Sequence, residues 1–317
     1  MKAESIVAET VRLKRWMIQH GEKGEFTGRK GVRISWNAIF KNDELPTIIF
    51  LHGKSESYLK YMELFYDFKD LPFNWFMMDH RGMGFSARMA ADKTITHVDL
   101  FDDYVADFKT FINDIVKRKL DKDNKDLILL AHSMGGAVGT LFMIDNPGVF
   151  KEAIFSSPMF ALRYPGGALF AKMILRAKAR FSGRIEYAPF QAPWKKGSFE
   201  NNFLTHSAQR YEFWMTMQDD YSELKSGGAS INWVLEAAKA TKRIVKEAKK
   251  IKVPVTIIQA SKDKIVNISG HNKFASRSAN TTVTLVEDAW HDLWCESDYY
   301  REKAIGVLRH HLLKHCK

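Results

Sequence analysis

Cysteine is nearly absent from this chain, with two thiols, Cys295 and Cys316, in 317 residues. That excludes a disulfide framework and makes a reducing compartment the simpler expectation. Long apolar runs are missing as well. No stretch approaches the roughly 18 residues that a bilayer span needs. The opening segment MKAESIVAETVRLKRWMIQ has amphipathic helical spacing but lacks the uninterrupted apolar core of a signal peptide. A soluble or peripheral protein is therefore expected. G-x-G-x-x-G is absent, so dinucleotide binding is a poor fit. There are no internal repeats and no low-complexity tract.

Acidic residues are scarce in one place. The chain has 48 Lys and Arg against 37 Asp and Glu, a net charge of +11. Between Met159 and Ser198 stand eight basic residues, Arg163, Lys172, Arg176, Lys178, Arg180, Arg184, Lys195 and Lys196, against one acid, Glu186; that segment alone carries +7. Anionic membranes and nucleic acids are the partner classes for such a charge. No nucleic-acid recognition motif accompanies it, so nucleic acid is not expected.

What is present suits a packed core. Hydrophobic residues make up 45% and aromatics 13%, which excludes disorder. Residues 22–40 read as two short strands about a Gly-Arg-Lys-Gly turn. TIIFLHG, NWFMMDH, LILLAHS, EAIFSSP, VPVTIIQASKD and TVTLVEDAWHD read as further strands, with helical spacing between them at about 97–120 and in SINWVLEAAKATKRIVKEAKKI. Short apolar strands alternating with helices predict an α/β fold with a mostly parallel sheet covered on both faces. Function then gathers at the carboxyl ends of the strands. The alternation breaks after Pro158, which predicts an inserted helical cap over residues 158–230. Residues 1–157 and 231–317 are left as the sheet domain.

LILLAHSMGGAVG holds the sharpest signal. A strand that turns directly into a helix needs small residues two positions either side of the turn. Ala131 and Gly135 supply them around Ser133. Such a turn lifts the hydroxyl above the sheet and aims a helix N-terminus at it, where free N–H groups can stabilise an oxyanion. The usual pattern is G-x-S-x-G, and Ala131 departs from it while meeting the same steric demand. A Ser merely capping a helix is the plain alternative.

Here the chain resembles the α/β-hydrolases, in the branch of monoacylglycerol lipases and bacterial lysophospholipase L2. The resemblance is carried by FLHGKSESYLKY, MMDHRGMGFSAR, LLAHSMGGAVGTLF, SSPMF, FLTHSAQRYEF, IIQASKDKIV and DAWHDLWCE, across about residues 45 to 300. It implies a nucleophile, an acid and a histidine in that chain order, and these fall on Ser133, Asp263 and His291. A solvated Asp263 and a structural His291 are the plain alternatives. Asp288 and Asp292 flank His291, but sequence neighbours rarely point where a triad acid must. His132 is expected to face away from the reaction, and Glu287 to lie on the surface. The resemblance places the oxyanion donors at the backbone N–H groups of Met134 and Lys54. The Lys54 side chain could approach a lipid phosphate, but solvent is its expected place. Asp79-His80-Arg81-Gly82-Met83-Gly84 is expected to brace the site without doing chemistry. The string of His97 and Asp102 reads as coincidence.

The implied activity is hydrolysis of single-chain acyl esters, lysophospholipids first and monoacylglycerols second, without a cofactor or metal. A hydrolase-fold protein that binds lipid without turnover is the alternative from another class. In the insertion, Phe170, Met173, Ile174, Ala177 and Phe181 fall on one helical stripe and Lys172, Arg176 and Arg180 on another. Phe160 adds an aromatic beside them. This predicts either a cap helix with a solvated basic face or a lid touching anionic lipid, with Phe160, Phe170, Met173, Arg176 and Arg180 as candidate substrate or lid residues. The resemblance suggests a bacterial protein, cytoplasmic or peripheral at the inner face of the membrane. The tail RHHLLKHCK, with His311, His315 and Cys316, is expected to fray rather than bind metal.

Overall fold

The computed structural model describes residues 6–121, 126–163 and 185–316. Five apolar runs form strands buried along their whole length: β3 (Thr47–Leu51), β4 (Asn74–Met78), β5 (Leu127–His132), β6 (Glu152–Ser156) and β7 (Val255–Ala260). Burial on both faces is why these runs are continuous rather than alternating. The edges differ. β1 (Glu22–Thr27) and β8 (Thr281–Val286) keep exposed positions, while β2 (Arg33–Ile39) joins β1 to the interior. The described strands make one sheet in the order β1-β2-β4-β3-β5-β6-β7-β8. β2 runs antiparallel to both β1 and β4, and the remaining pairs are parallel.

Among the described residues the helices longer than one turn are α1 (Ile6–His20), α2 (Met62–Asp67), α3 (Phe101–Thr110, continued by a π turn over Phe111–Val116), α4 (Met134–Asp145), α5 (Ala208–Asp220), α6 (Ile231–Glu247), α7 (Ser269–Ala275) and α8 (Asp298–Leu313). The period of two along each strand sorts its side chains into two cores. Ile49, Leu51, Leu129 and Ala131 pack with apolar residues of α3, α4 and α6. Ile48, Phe50, Ile128 and Leu130 pack with those of α1, α2, α5 and α8. Among the described residues no helix is long and apolar enough to cross a membrane.

Residues 158–230, expected as an inserted cap, lie in the long connection from β6 to β7. Within it α5 is not a free-standing cap, because Phe213, Trp214 and Met217 are buried in the core shared with α1. Ser207 starts this helix by accepting the Arg210 N–H at 3.2 Å. The Arg210 guanidinium then forks onto Glu63 at 2.7 and 2.8 Å, latching the helix to α2.

Two expectations change here. Phe160, expected beside the lid, is 1% exposed and packs 4.6 Å from the ring of Phe274. Apolar area beside the sheet is the stronger attraction for it. The C-terminal tail is pinned rather than frayed. His311 Nδ1 and His315 Nε2 lie 3.0 and 2.8 Å from the two carboxylate oxygens of Glu152 at the start of β6. Phe170, Met173, Arg176 and Arg180 lie outside the described residues.

Candidate active site

Ser133 sits at the junction of β5 and α4 with φ 50° and ψ −117°. For a non-glycine residue this backbone is strained, and the surroundings hold it there. Its N–H donates to Ser156 O at 3.0 Å, and its carbonyl accepts from Gly136 and Met159 at 3.0 and 2.9 Å. A Cβ at Gly135 would stand 2.4 Å from Leu51 O and 2.7 Å from His52 O. Only glycine lets the first turn of α4 pass so near the end of β3.

The three chain-distant residues meet above the sheet. His291 Nε2 lies 2.9 Å from Ser133 Oγ, and His291 Nδ1 lies 2.6 Å from Asp263 Oδ2. The other Asp263 oxygen accepts the N–H groups of Ile265 and Val266 at 2.7 and 2.9 Å. Burial opposes ionisation of Asp263, but the charge and hydrogen bond of His291, with those two N–H donors, outweigh it. The carboxyl is held below its ordinary value. Ser133 is 7% exposed and His291 3%, so the pair is largely shielded from bulk water.

Two backbone N–H groups, those of Met134 and Lys54, have no acceptor among the described residues. Met134 is the first residue of α4, so its N–H has no partner inside the helix. At the end of β3 the Gly53 N–H is taken by Glu56 Oε2 at 2.7 Å, and the next one, of Lys54, is left over. Gly53 is close to the nucleophile: a Cβ there would lie 3.1 Å from Ser133 Cβ.

The rival acids are elsewhere. Asp288 is exposed and its N–H binds Ser261 Oγ at 2.8 Å. Asp292 is buried and pairs with Lys60. Glu287 is on the surface. His97 binds Ser230 Oγ at 2.8 Å while the Asp102 side chain is 65% exposed, so that string of residues forms no site. The loop after β4 braces. Asp79 accepts Ser57 Oγ and the N–H groups of Tyr58 and Phe85 at 3.1, 3.0 and 2.8 Å. The buried Arg81 forks onto Asp107 at 2.7 Å.

Two side chains depart from expectation. His132 does not turn away; its ring centroid is 4.8 Å from that of His291. Burial pushes its pKa down to about 4, so it is a neutral wall behind the histidine at neutral pH. The Lys54 side chain turns inward, and its Nζ donates to Ser55 Oγ at 2.8 Å. Burial lowers its pKa to about 8, with Glu56 opposing that shift.

Behind the site lies a charge chain that the sequence reading missed. Lys60 bonds Glu56 at 2.6 Å and also Asp292, all three being nearly fully buried. Burial disfavours each charge, but mutual attraction wins, raising Lys60 and lowering Glu56. Tyr61 donates to Glu56 at 2.6 Å. The chain links the loop bearing Gly53 and Lys54 to the residue after His291. The i, i+4 spacing of Glu56 and Lys60 was a hint, but such pairs are usually solvated.

A cavity of about 350 Å³ opens at Ser133 and His291, lined also by Lys54, Tyr211, Trp214, Met215 and Ile265. A larger one of about 530 Å³, between α1 and the β1–β2 ribbon, touches none of the three site residues. Among the described residues no cluster of His, Cys, Asp and Glu could hold a metal ion.

The family profile described as serine aminopeptidase, S33, matches residues 43–298, well over half of the chain. The chain belongs to this family. Lysophospholipase L2 of Escherichia coli strain K12 is 31% identical over 295 residues, covering 90% of this chain and 86% of that protein. The monoglyceride lipase of Mus musculus is 25% identical over 254 residues, covering 78% of this chain and 75% of the other. Among solved structures, a soluble variant of monoglyceride lipase from Saccharomyces cerevisiae superposes with a TM-score of 0.70 at 18% identity, covering 93% of this chain and 96% of that one. At that identity the likeness speaks for the α/β-hydrolase fold, and the eight-stranded, mostly parallel sheet agrees.

Proposed function

We propose that this protein is a serine hydrolase that cleaves the acyl ester of single-chain lipids, with lysophospholipids as its substrates. The observation that carries the reading is the unbroken contact from Asp263 through His291 to Ser133, opening into a largely apolar cavity. The likeness to lysophospholipase L2 supports the substrate class. Monoacylglycerol is the rival substrate, favoured by the monoglyceride lipase relatives.

In this reading Ser133 Oγ attacks the ester carbonyl while His291 Nε2 takes its proton. Asp263 holds the imidazole in the tautomer that leaves Nε2 free to accept. The N–H groups of Met134 and Lys54 receive the oxyanion as it forms. Collapse breaks the bond to the alcohol oxygen, which takes the proton from His291 and leaves as the glycerophospho-alcohol. Water then attacks the acyl-enzyme, gives its proton to His291, and the fatty acid departs as Ser133 is restored. We assign the basic segment between Met159 and Ser198 to contact with an anionic membrane surface.

Fatty-acid release from a lysophospholipid and from the monoacylglycerol of equal chain length tests this, with Ser133→Ala as the blank. Faster lysophospholipid turnover, lost in the variant, is expected. Release from both lipids that is equal to the Ser133→Ala blank overturns the hydrolase reading.

A further inference from the structure

Among the described residues, four lysines and arginines line the cavity at Ser133: Lys54, Lys60, Lys195 and Arg210. Lys60 is clamped between Glu56 and Asp292, and Arg210 between Glu63 and Asp298. Their charges are matched at contact distance. Lys54 is different. Among the described residues its ammonium has one hydrogen bond, to Ser55 Oγ, and no carboxylate within ion-pair distance. Glu56 stands two residues on, but both its oxygens are engaged by the Gly53 N–H, Tyr61 Oη and Lys60.

The loop holds this lysine inward. Ser55 has φ +62°, a left-handed backbone that a non-glycine residue adopts only when held there. Its hydroxyl is tied to Thr96 Oγ1 at 3.1 Å and to Gly227 O at 3.0 Å, on two other segments. The same hydroxyl accepts the Lys54 ammonium. The Trp233 ring lies 5.9 Å from Nζ. An ammonium carries three donors, and only one is used among the described residues. A partly buried cation without a contact anion is costly, and that cost falls when an anion arrives.

Resting on the hydrolase reading above, we propose that Lys54 is the head-group selector of this site, its ammonium taking the phosphate of the ester's own glycerophospho leaving group. In that reading the Lys54 N–H receives the oxyanion, and Lys54 also lines the cavity at Ser133. One residue therefore addresses both the scissile ester and the phosphate a few bonds away. A monoacylglycerol offers only hydroxyls to the ammonium, and hydrogen bonds between neutral and charged groups differ in strength from fully charged pairs.

The test compares kcat/KM for a lysophosphatidylglycerol and a monoacylglycerol with the same acyl chain. The wild-type chain is run beside Lys54→Met and Lys54→Arg, each checked for native circular dichroism. The inference expects a wild-type preference for the phospholipid. Lys54→Met should lower the ratio of the two values about tenfold or more, and Lys54→Arg should restore most of it. The ratio is read because it cancels any disturbance of the Lys54 amide common to both substrates. Excess inorganic phosphate separates the two sources of the anion. Phosphate that raises wild-type monoacylglycerol turnover to that of the phospholipid overturns the assignment in favour of the free ion; phosphate that leaves it unchanged or only competes with the phospholipid supports a site for the tethered group. An unchanged ratio in Lys54→Met, or equal wild-type turnover of both esters, overturns the inference and leaves the hydrolase reading standing. Turnover of neither ester overturns both.

Discussion

Asp263 meets Nδ1 of His291 at 2.6 Å, and that contact decides which ring nitrogen faces Ser133. Asp263→Asn keeps the shape but can present an N–H to Nδ1, favouring the wrong tautomer. The variant should fold normally and lose about 10³- to 10⁴-fold in kcat. Steady-state kinetics on a soluble acyl ester checks this; a loss confined to KM would speak against the role.

Gly135 is the steric hinge of the nucleophile turn. Gly135→Ala would drive a Cβ to 2.4 Å from Leu51 O, a backbone atom of a central strand with little room to yield. A destabilisation of about 1–3 kcal/mol is expected, with activity falling further than stability because Ser133 shifts. Urea denaturation and turnover, measured on the same preparation, separate the two effects.

The buried chain of Glu56, Lys60 and Asp292 should be felt most when it is broken in the middle. Lys60→Met leaves two carboxylates without their cation, at a cost of about 3–5 kcal/mol. Neutralising all three, with Glu56→Gln, Lys60→Met and Asp292→Asn, should recover much of that stability. It should not recover full activity if the chain aligns the Lys54 loop with His291. Denaturation midpoints and kcat on the single and triple variants decide this.

Acid should weaken the fold in two stages. Burial lowers His132 and His271 to about 4, whereas an unfolded histidine titrates near 6.5. Between those values the unfolded chain binds more protons, so stability falls as pH drops from about 6.5 towards 4, by up to about 3 kcal/mol per histidine. The lowered carboxyl of Asp263 acts at more acidic pH. Its contribution is present above the ordinary carboxylate value and is lost as pH falls through the depressed one. Thermal unfolding across this range, repeated with His132→Asn, should show a shallower first stage in the variant.

The parts of this molecule that could be read from its sequence are those written in short windows. LILLAH and VTIIQA announce buried strands through unbroken apolar runs, and both lie inside the sheet. Ala131, Ser133 and Gly135 announce the sharp turn because its sterics are local. Asp263 and His291 were marked by the family resemblance, together with their places just past strand ends. What escaped was set by three-dimensional packing. Lys54 turns inward because Ser55 is tied to Thr96 and Gly227, far along the chain. Lys60 finds Asp292 across more than two hundred residues, and His311 finds Glu152 in the same way. Phe160 joins the core because Phe274 is there to meet it. No window of sequence holds both partners of any of these pairs.

The central claim is that Ser133 is an activated nucleophile. The most direct test is labelling with a fluorophosphonate, followed by mass mapping of the modified peptide, on the wild-type chain and on His291→Ala. The account predicts a single adduct on Ser133 in the wild type, formed at least about 10³-fold more slowly without His291. An unmodified Ser133, or equal labelling rates in the two proteins, would contradict it.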